Sequence, residues 1–470
     1  MNPQKSIPMP NEIHDVIVIG AGVVGCAMAR RFALEGAKVV VVEKAGDILD
    51  GASKGNSAIL HTGFDEVTGS IEHQCVTAGY QEFMDIHEKL NLPVLKTGAL
   101  VIAWSSEQAD RLEGLQDKSI ANGVTSVKRL TSKQISEREP HLSEAQSGGI
   151  QIPTEYVIDP WTTPYSYLLQ AMAHGAKLSR NTEVLAGEFD GDHWRLETSA
   201  GPLIAVTVIN CAGLYGDRID AALIQKSDFD IRPRKGQFLV YDKAASKLVN
   251  SIILPVPTKT TKGVVVCRTV FGNLLVGPTA DEQESRDDTS VDTASLNFLR
   301  KTGEGIVPAL ANYAVTATYA GIRPATQNQD YCIRPYPDKN YISVGGIRST
   351  GLSGALGIAT YVFKHYAGMG NSHMPVENPA WPAPIQISEQ SDRDWAKPGN
   401  GGIICHCELV TRREVEAALS GPLAASCLAA LKRRTRVTMG RCQGFYCSGH
   451  LSKITAGHFD QPIGVQDDAE

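Results

Sequence analysis

Four cysteines gather near one end of the chain, in ICHCELVTRREVEAAL and MGRCQGFYCSGHL. Cys405 and Cys407 form a C-x-C pair, Cys442 and Cys447 a C-x4-C pair. Four thiolates on two loops suit zinc or an iron–sulfur cluster. Zinc sites more often use C-x2-C knuckles, and neither pair follows that spacing. The remaining cysteines, from a total of 10, are scattered without a secreted disulfide framework. A reducing, cytoplasmic location is therefore expected.

A second chemical signal opens the chain. DVIVIGAGVVGCAMARRFALEGAKVVVVEK places Gly20, Gly22 and Gly25 as GxGxxG between an apolar run and a helical pattern, with Val23 and Val24 in the first turn. The first glycine makes the tight turn, the second admits a pyrophosphate, and the third lets helix and strand pack closely. The helix N-terminus stabilises the phosphate charge. A second apolar run, Lys38 to Val42, ends at Glu43 and Lys44, where an acidic side chain accepts hydrogen bonds from a ribose. Two later strand-and-glycine turns, VTVINCAGLYGD with Ala212 and Gly213, and YISVGGIRSTGLSGALGI, point to FAD. A flavin needs wrapping at its far end, which a lone NAD domain does not.

The elements that position these groups define an α/β chain of several domains. Its 470 residues exceed one ordinary core. A Rossmann-like FAD-binding domain is assigned to 14–84, 149–224 and 326–370, and a substrate domain with an antiparallel sheet to 85–148 and 225–325. The charged run SSEQADRLEGLQDKSIANG reads as one helix, with Leu112 and Leu115 on one side. Residues 371–400 carry enough proline to read as an extended linker, leaving a small helical module at 401–455. In that module Thr411 and Glu414 read as a capping box, and a second helix is predicted over roughly 423–436 with Cys427 in its core. Its KRRTR end reads as a solvated face matched to the helix dipole. Modules this small usually need a metal or other staple. A net charge of −6 argues against nucleic-acid binding. No apolar run approaches the ~20 residues of a membrane span. MNPQKSIPMPNEIH reads as a loose tail rather than a secretory signal.

From about residue 14 to 370 the chain resembles the flavoprotein family that includes D-amino-acid oxidase, glycerol-3-phosphate dehydrogenase and L-2-hydroxyglutarate oxidase. The resemblance implies flavin contacts from GASKGNSAILHTGF (Ser53, Asn56, Ser57, His61) and from Gly346, Gly351, Leu352 and Ser353 around IRSTGLSG. It implies an adenine contact through Val184. Arg323, in AGIRPAT, is expected to grip an anionic substrate group with its planar fork, with Arg348 as a second clamp. Lys235 reads as rim or structure, and Arg334 has no assignment. His61 stands as a base for a hydroxyl proton, a flavin contact, a packed histidine or a covalent attachment site. The C-terminal pattern resembles bacterioferritin-associated-ferredoxin-like domains, which implies a 2Fe–2S cluster on Cys405, Cys407, Cys442 and Cys447, with zinc as the alternative. End to end, the chain resembles the A subunits of anaerobic glycerol-3-phosphate dehydrogenases. That implies an electron-accepting partner subunit, with membrane association only through it. The expected reaction is oxidation of a small anionic hydroxy compound, best sn-glycerol 3-phosphate. L-2-hydroxyglutarate, an amine or amino acid, and a pure electron-transfer role are the alternatives.

Overall fold

The computed structural model describes residues 12–258, 263–459 and 461–464. The tail reading for the first residues lies almost wholly outside this range. The strand Ile13–Ile19 runs parallel to Val39–Val42 on one side and to Leu203–Asn210 on the other. Lys177–Ser179 extends the sheet beyond Val39–Val42, and Tyr341–Gly345 pairs in parallel with Leu203–Asn210. The run Val39–Val42 is at most 1% exposed at every position, because helices cover one face and a second apolar cluster the other. The helices Val23–Leu34 and Gly351–Gly368 pack against each other through small residues, so the two glycine turns that begin them come side by side.

The second sheet has nine strands, with the long antiparallel pair Arg232–Tyr241 and Val315–Ala325 toward one end. It is mixed rather than purely antiparallel, since Ile252–Pro255 runs parallel to Ala99–Ile102. This joins the two substrate blocks that are separated in sequence. The charged run after Ser105 is two helices, Ser106–Asp110 and Leu112–Ala121, and buries Leu112 completely.

Residues 371–400 are strapped across the body rather than spanning open solvent. Val376 N–H donates to Leu34 O at 2.8 Å, the Gln170 side chain donates to Ala380 O at 2.6 Å, and Glu389 N–H to Val270 O at 2.9 Å. Proline denies this segment a ladder of its own, so its backbone groups are met by neighbours.

In the C-terminal module Thr411 and Glu414 do form a capping box at the start of Arg412–Ala418. The second helix is shorter than predicted, Leu428–Thr435, and Cys427 is its extended N-cap, half-buried against the module's core. Ser426 Oγ donates to Gly46 O and Ala425 N–H to Ala418 O, which holds the preceding residues out of the helix. The solvated reading of KRRTR is overturned. Arg434 makes a bidentate pair with Asp47 at 2.7 and 2.9 Å, and Arg433 reaches the same carboxylate at 2.8 Å. Asp47 is 3% exposed. Burial alone raises its pKa, but Arg434 and Arg433 outweigh that and hold it below the ordinary carboxylate value. Its stabilising contribution is therefore present above the unfolded pKa and is lost as pH falls through the lower folded value. Asp47→Ala strands two buried guanidinium groups and should cost about 3–5 kcal/mol. The checks are a lower Tm and faster proteolytic cutting within 371–400. The wild-type junction should itself loosen below about pH 4.

Candidate active site

Between the two sheets lies a long cavity of about 760 Å³. At one end its wall is built from Gly20, Gly22, Val23 and Val24, with Glu43 and Lys44 from the end of the next strand. Gly20 sits at φ +100°, and a Cβ there would stand 2.6 Å from Cys211 O. A Cβ on Gly25 would collide with Gly20 O, so Gly25 packs helix on turn behind the cavity rather than lining it. The helix Val23–Leu34 has no side-chain cap from its N-cap Gly22, and Val23 N–H donates instead to Ser53 Oγ at 2.9 Å. Glu43 accepts from Ala21 N–H and Ala45 N–H at 2.8 and 2.9 Å, and burial pushes its pKa up. Val184, Ala212 and Gly213 line the same end. There Tyr215, which sequence reasoning passed over, lies with its ring centroid 3.4 Å from Lys44 Nζ.

Ser53 and Gly351 stand against Gly22 and Val23, and from them the wall runs on through Asn56, Ser57 and Leu352 to Arg323 and Arg348. Gly321 faces Gly55 backbone to backbone here, and a Cβ on Gly321 would run into Gly55 O. Gly321→Ala should therefore push the substrate sheet off the Ser53 loop, at about 1–3 kcal/mol. Flavin retained per chain after gel filtration, together with Tm, measures the effect. Gly346, Ser353 and His61 stand outside the lining. Ser353 Oγ accepts from His61 N–H at 2.8 Å and donates to Ile59 O at 3.3 Å, so it ties the loop to the helix Gly351–Gly368.

Arg323 is part-buried, and its guanidinium donates to Thr279 O at 2.7 Å. Gly236 leaves room for it, since a Cβ there would strike the guanidinium. Among the described residues no ion pair to a carboxylate is found for it. Burial, with the like charge of Arg234, pushes its pKa down to about 10. Arg348 is differently placed, because its guanidinium is bonded to Glu72, which also takes the Thr350 hydroxyl. Lys235 pairs with Asp288 at 2.8 Å, and Arg334 lies at the surface 4.0 Å from Asp228.

Glu155 is the residue the sequence hid. It is fully buried, with Oε1 accepting from Thr62 N–H at 2.6 Å and Thr62 Oγ1 at 2.8 Å. Its other oxygen lies 2.9 Å from His61 Nδ1. Both carboxylate oxygens act as acceptors, so the network assigns the proton to Nδ1.

The four module cysteines come as two contacting pairs, Cys407 with Cys442 and Cys405 with Cys447. The Tyr446 N–H pulls the Cys442 thiol below its ordinary value, while burial pushes Cys407 up and Cys447 up to about 11. Among the described residues no three or more His, Cys, Asp or Glu side chains converge on a single ion position. No helix among those residues is long and apolar enough to cross a membrane.

A parallel sheet with a glycine turn under a long cavity, an acid at the end of the second strand and a facing second sheet fit a flavin-dependent oxidoreductase. The model of the family "FAD dependent oxidoreductase" matches residues 15–364, and the chain belongs to that family. A glycerol 3-phosphate dehydrogenase of Caloramator mitchellensis is 34% identical over 465 residues, covering 97% of this chain and 95% of that protein. The A subunit of the anaerobic glycerol-3-phosphate dehydrogenase of Escherichia coli (strain K12) is 26% identical, covering 93% and 87%. The FAD-bound, dithionite-reduced L-α-glycerophosphate oxidase of Mycoplasma pneumoniae superposes with a TM-score of 0.74 at 25% identity, over 80% of this chain and 99% of that one.

Proposed function

We propose that the protein oxidises sn-glycerol 3-phosphate and passes the electrons through a 2Fe–2S cluster to an electron-accepting partner. The observation that carries the substrate is Arg323, a part-buried guanidinium at the ring end of the cavity that meets a backbone carbonyl and no carboxylate among the described residues. A cation so placed is stabilised by a bound phosphate, and its fork geometry suits two phosphate oxygens. Bound along the cavity, FAD supplies the hydride acceptor. The chain supplies the rest. Arg323 fixes the phosphate, His61 takes the hydroxyl proton at Nε2, and Glu155 holds the ring with the proton on Nδ1. Arg348, held by Glu72, is the weaker candidate for contact with the anion.

Two observations support the cluster. Each iron of a binuclear cluster would take two thiolates, which the neighbouring pairs 405/447 and 407/442 would provide. Two glycerol-3-phosphate dehydrogenase relatives also align over 97% and 93% of the chain, so their similarity extends beyond the flavoprotein body into the C-terminal module. Phe445 and Tyr446, 82% and 72% exposed between the last two cysteines, support a partner that covers them.

The test is a visible spectrum of anaerobically purified protein before and after glycerol 3-phosphate, with iron and zinc counted per chain. Bleaching of both flavin and cluster bands is expected. Stoichiometric zinc sinks the electron path. Bleaching by L-2-hydroxyglutarate or an amino acid, with glycerol 3-phosphate inert, sinks the substrate.

A further inference from the structure

A continuous line of packed side chains joins the ring end of the cavity to the cysteine module. Pro160 lines the cavity, and the next residue, Trp161, donates its indole N–H at 3.2 Å to the carbonyl of Lys54, which is also in the cavity wall. The Trp161 ring stacks on Phe271, with centroids 5.5 Å apart and planes 14° from parallel. On Phe271 sits the Arg436 guanidinium, 4.3 Å from the ring centroid. Arg436 Nε donates to Glu408 at 2.9 Å, and Glu408 is peptide-bonded to Cys407. Phe271, Arg436 and Glu408 are 4%, 6% and 3% exposed, while Trp161 is half-buried and also lines a second cavity of about 310 Å³. The guanidinium also donates to Asn273 at 3.0 Å, which fixes it over the ring.

We propose that Trp161, Phe271 and Arg436 are the conduit by which electrons cross from the flavin cavity to the Cys407 loop. The inference rests on the flavin and cluster reading above. Electronic coupling falls with every through-space gap, and this line keeps its contacts at packing distance from cavity wall to ligand loop. Each passage moves one electron, lost by the two-electron-reduced flavin and gained by the diferric pair. An external one-electron acceptor removes it, and two passages restore the starting state. No atom moves along the line, and the protons taken from substrate leave to solvent.

The experiment uses the holoenzyme and the variants Trp161→Leu, Phe271→Leu and the conservative Trp161→Phe. Stopped-flow spectra after mixing with glycerol 3-phosphate separate flavin reduction from cluster reduction, and photoreduction of the flavin gives the same separation without substrate. Hydrogen exchange over residues 401–455 reports whether the module stays docked. The expected result is unchanged flavin reduction, cluster reduction slowed about tenfold or more in each leucine variant, and near-normal transfer in Trp161→Phe. Exchange protection should be unchanged throughout. Wild-type transfer rates in both leucine variants overturn the conduit, as does slowing that appears only with loss of exchange protection. A wild-type chain that holds zinc overturns the conduit and the cluster reading together. Substrate failure leaves the conduit measurable by photoreduction.

Discussion

His61→Ala is expected to keep its flavin and lose about 100- to 10,000-fold in kcat/KM for glycerol 3-phosphate. Hydride leaves a secondary alcohol readily only as its hydroxyl proton is taken, so removing the base raises the barrier to the chemical step and not to binding. The residual rate should climb with pH as hydroxide replaces the missing imidazole. Glu155→Gln gives a smaller loss, about 10- to 100-fold, because the amide still accepts one hydrogen bond yet no longer stabilises the imidazolium formed when His61 takes the proton. Flavin absorbance per chain and single-turnover bleaching separate the roles. If His61 only contacts the flavin, the variant loses cofactor and the remaining holoenzyme turns over normally.

Arg323→Ala should raise KM about 30-fold or more, the cost of leaving a bound phosphate without its buried cation. Glycerol, which lacks the phosphate, should be oxidised equally slowly by the wild type and the variant. Arg323→Lys recovers part of the loss, since a point charge replaces a two-pronged donor. The pH dependence has a fixed sign. The guanidinium is charged below its pKa, which burial beside Arg234 pushes down to about 10. Anion affinity is therefore constant through neutral pH and falls as pH rises through about 10. A KM that stays flat to about pH 11, beyond that value, removes Arg323 from the anion site.

The nucleotide turn was readable in the sequence because its parts are local. Gly20 to Glu43 fall in one strand–helix–strand unit, and each type has a separate physical reason to be there. The opposite end of the cavity was readable only in part. His61 stood out by its segment, but its partner Glu155 is 94 residues away in an unremarkable TEYV, and nothing in that stretch marks a buried carboxylate. The arginines of KRRTR were misread for the same reason. Four cations at a helix C-terminus satisfy the dipole rule, and only tertiary structure brings Asp47 to Arg433 and Arg434. Arg348 looked like Arg323 in sequence, and Glu72, on a helix 276 residues earlier, is what distinguishes them. The proline-rich stretch read as a spacer because composition reports stiffness and not what the stiff segment lies against.

The clasp between Asp47 and its two arginines also orders events in time. Asp47 is made early, and Arg433 and Arg434 come 386 and 387 residues later. The first sheet is equally delayed, since Ile13–Ile19 lies two strands from Tyr341–Gly345 and its far edge arrives only when most of the chain has been synthesised. A nascent chain therefore carries an open, hydrated Asp47 until its last segment emerges, and the terminal module docks onto a finished body. Biogenesis follows a set sequence, with the flavin-binding body able to form before the terminal module docks. A chain truncated before residue 433 leaves the body with a carboxylate pocket that nothing made later can close.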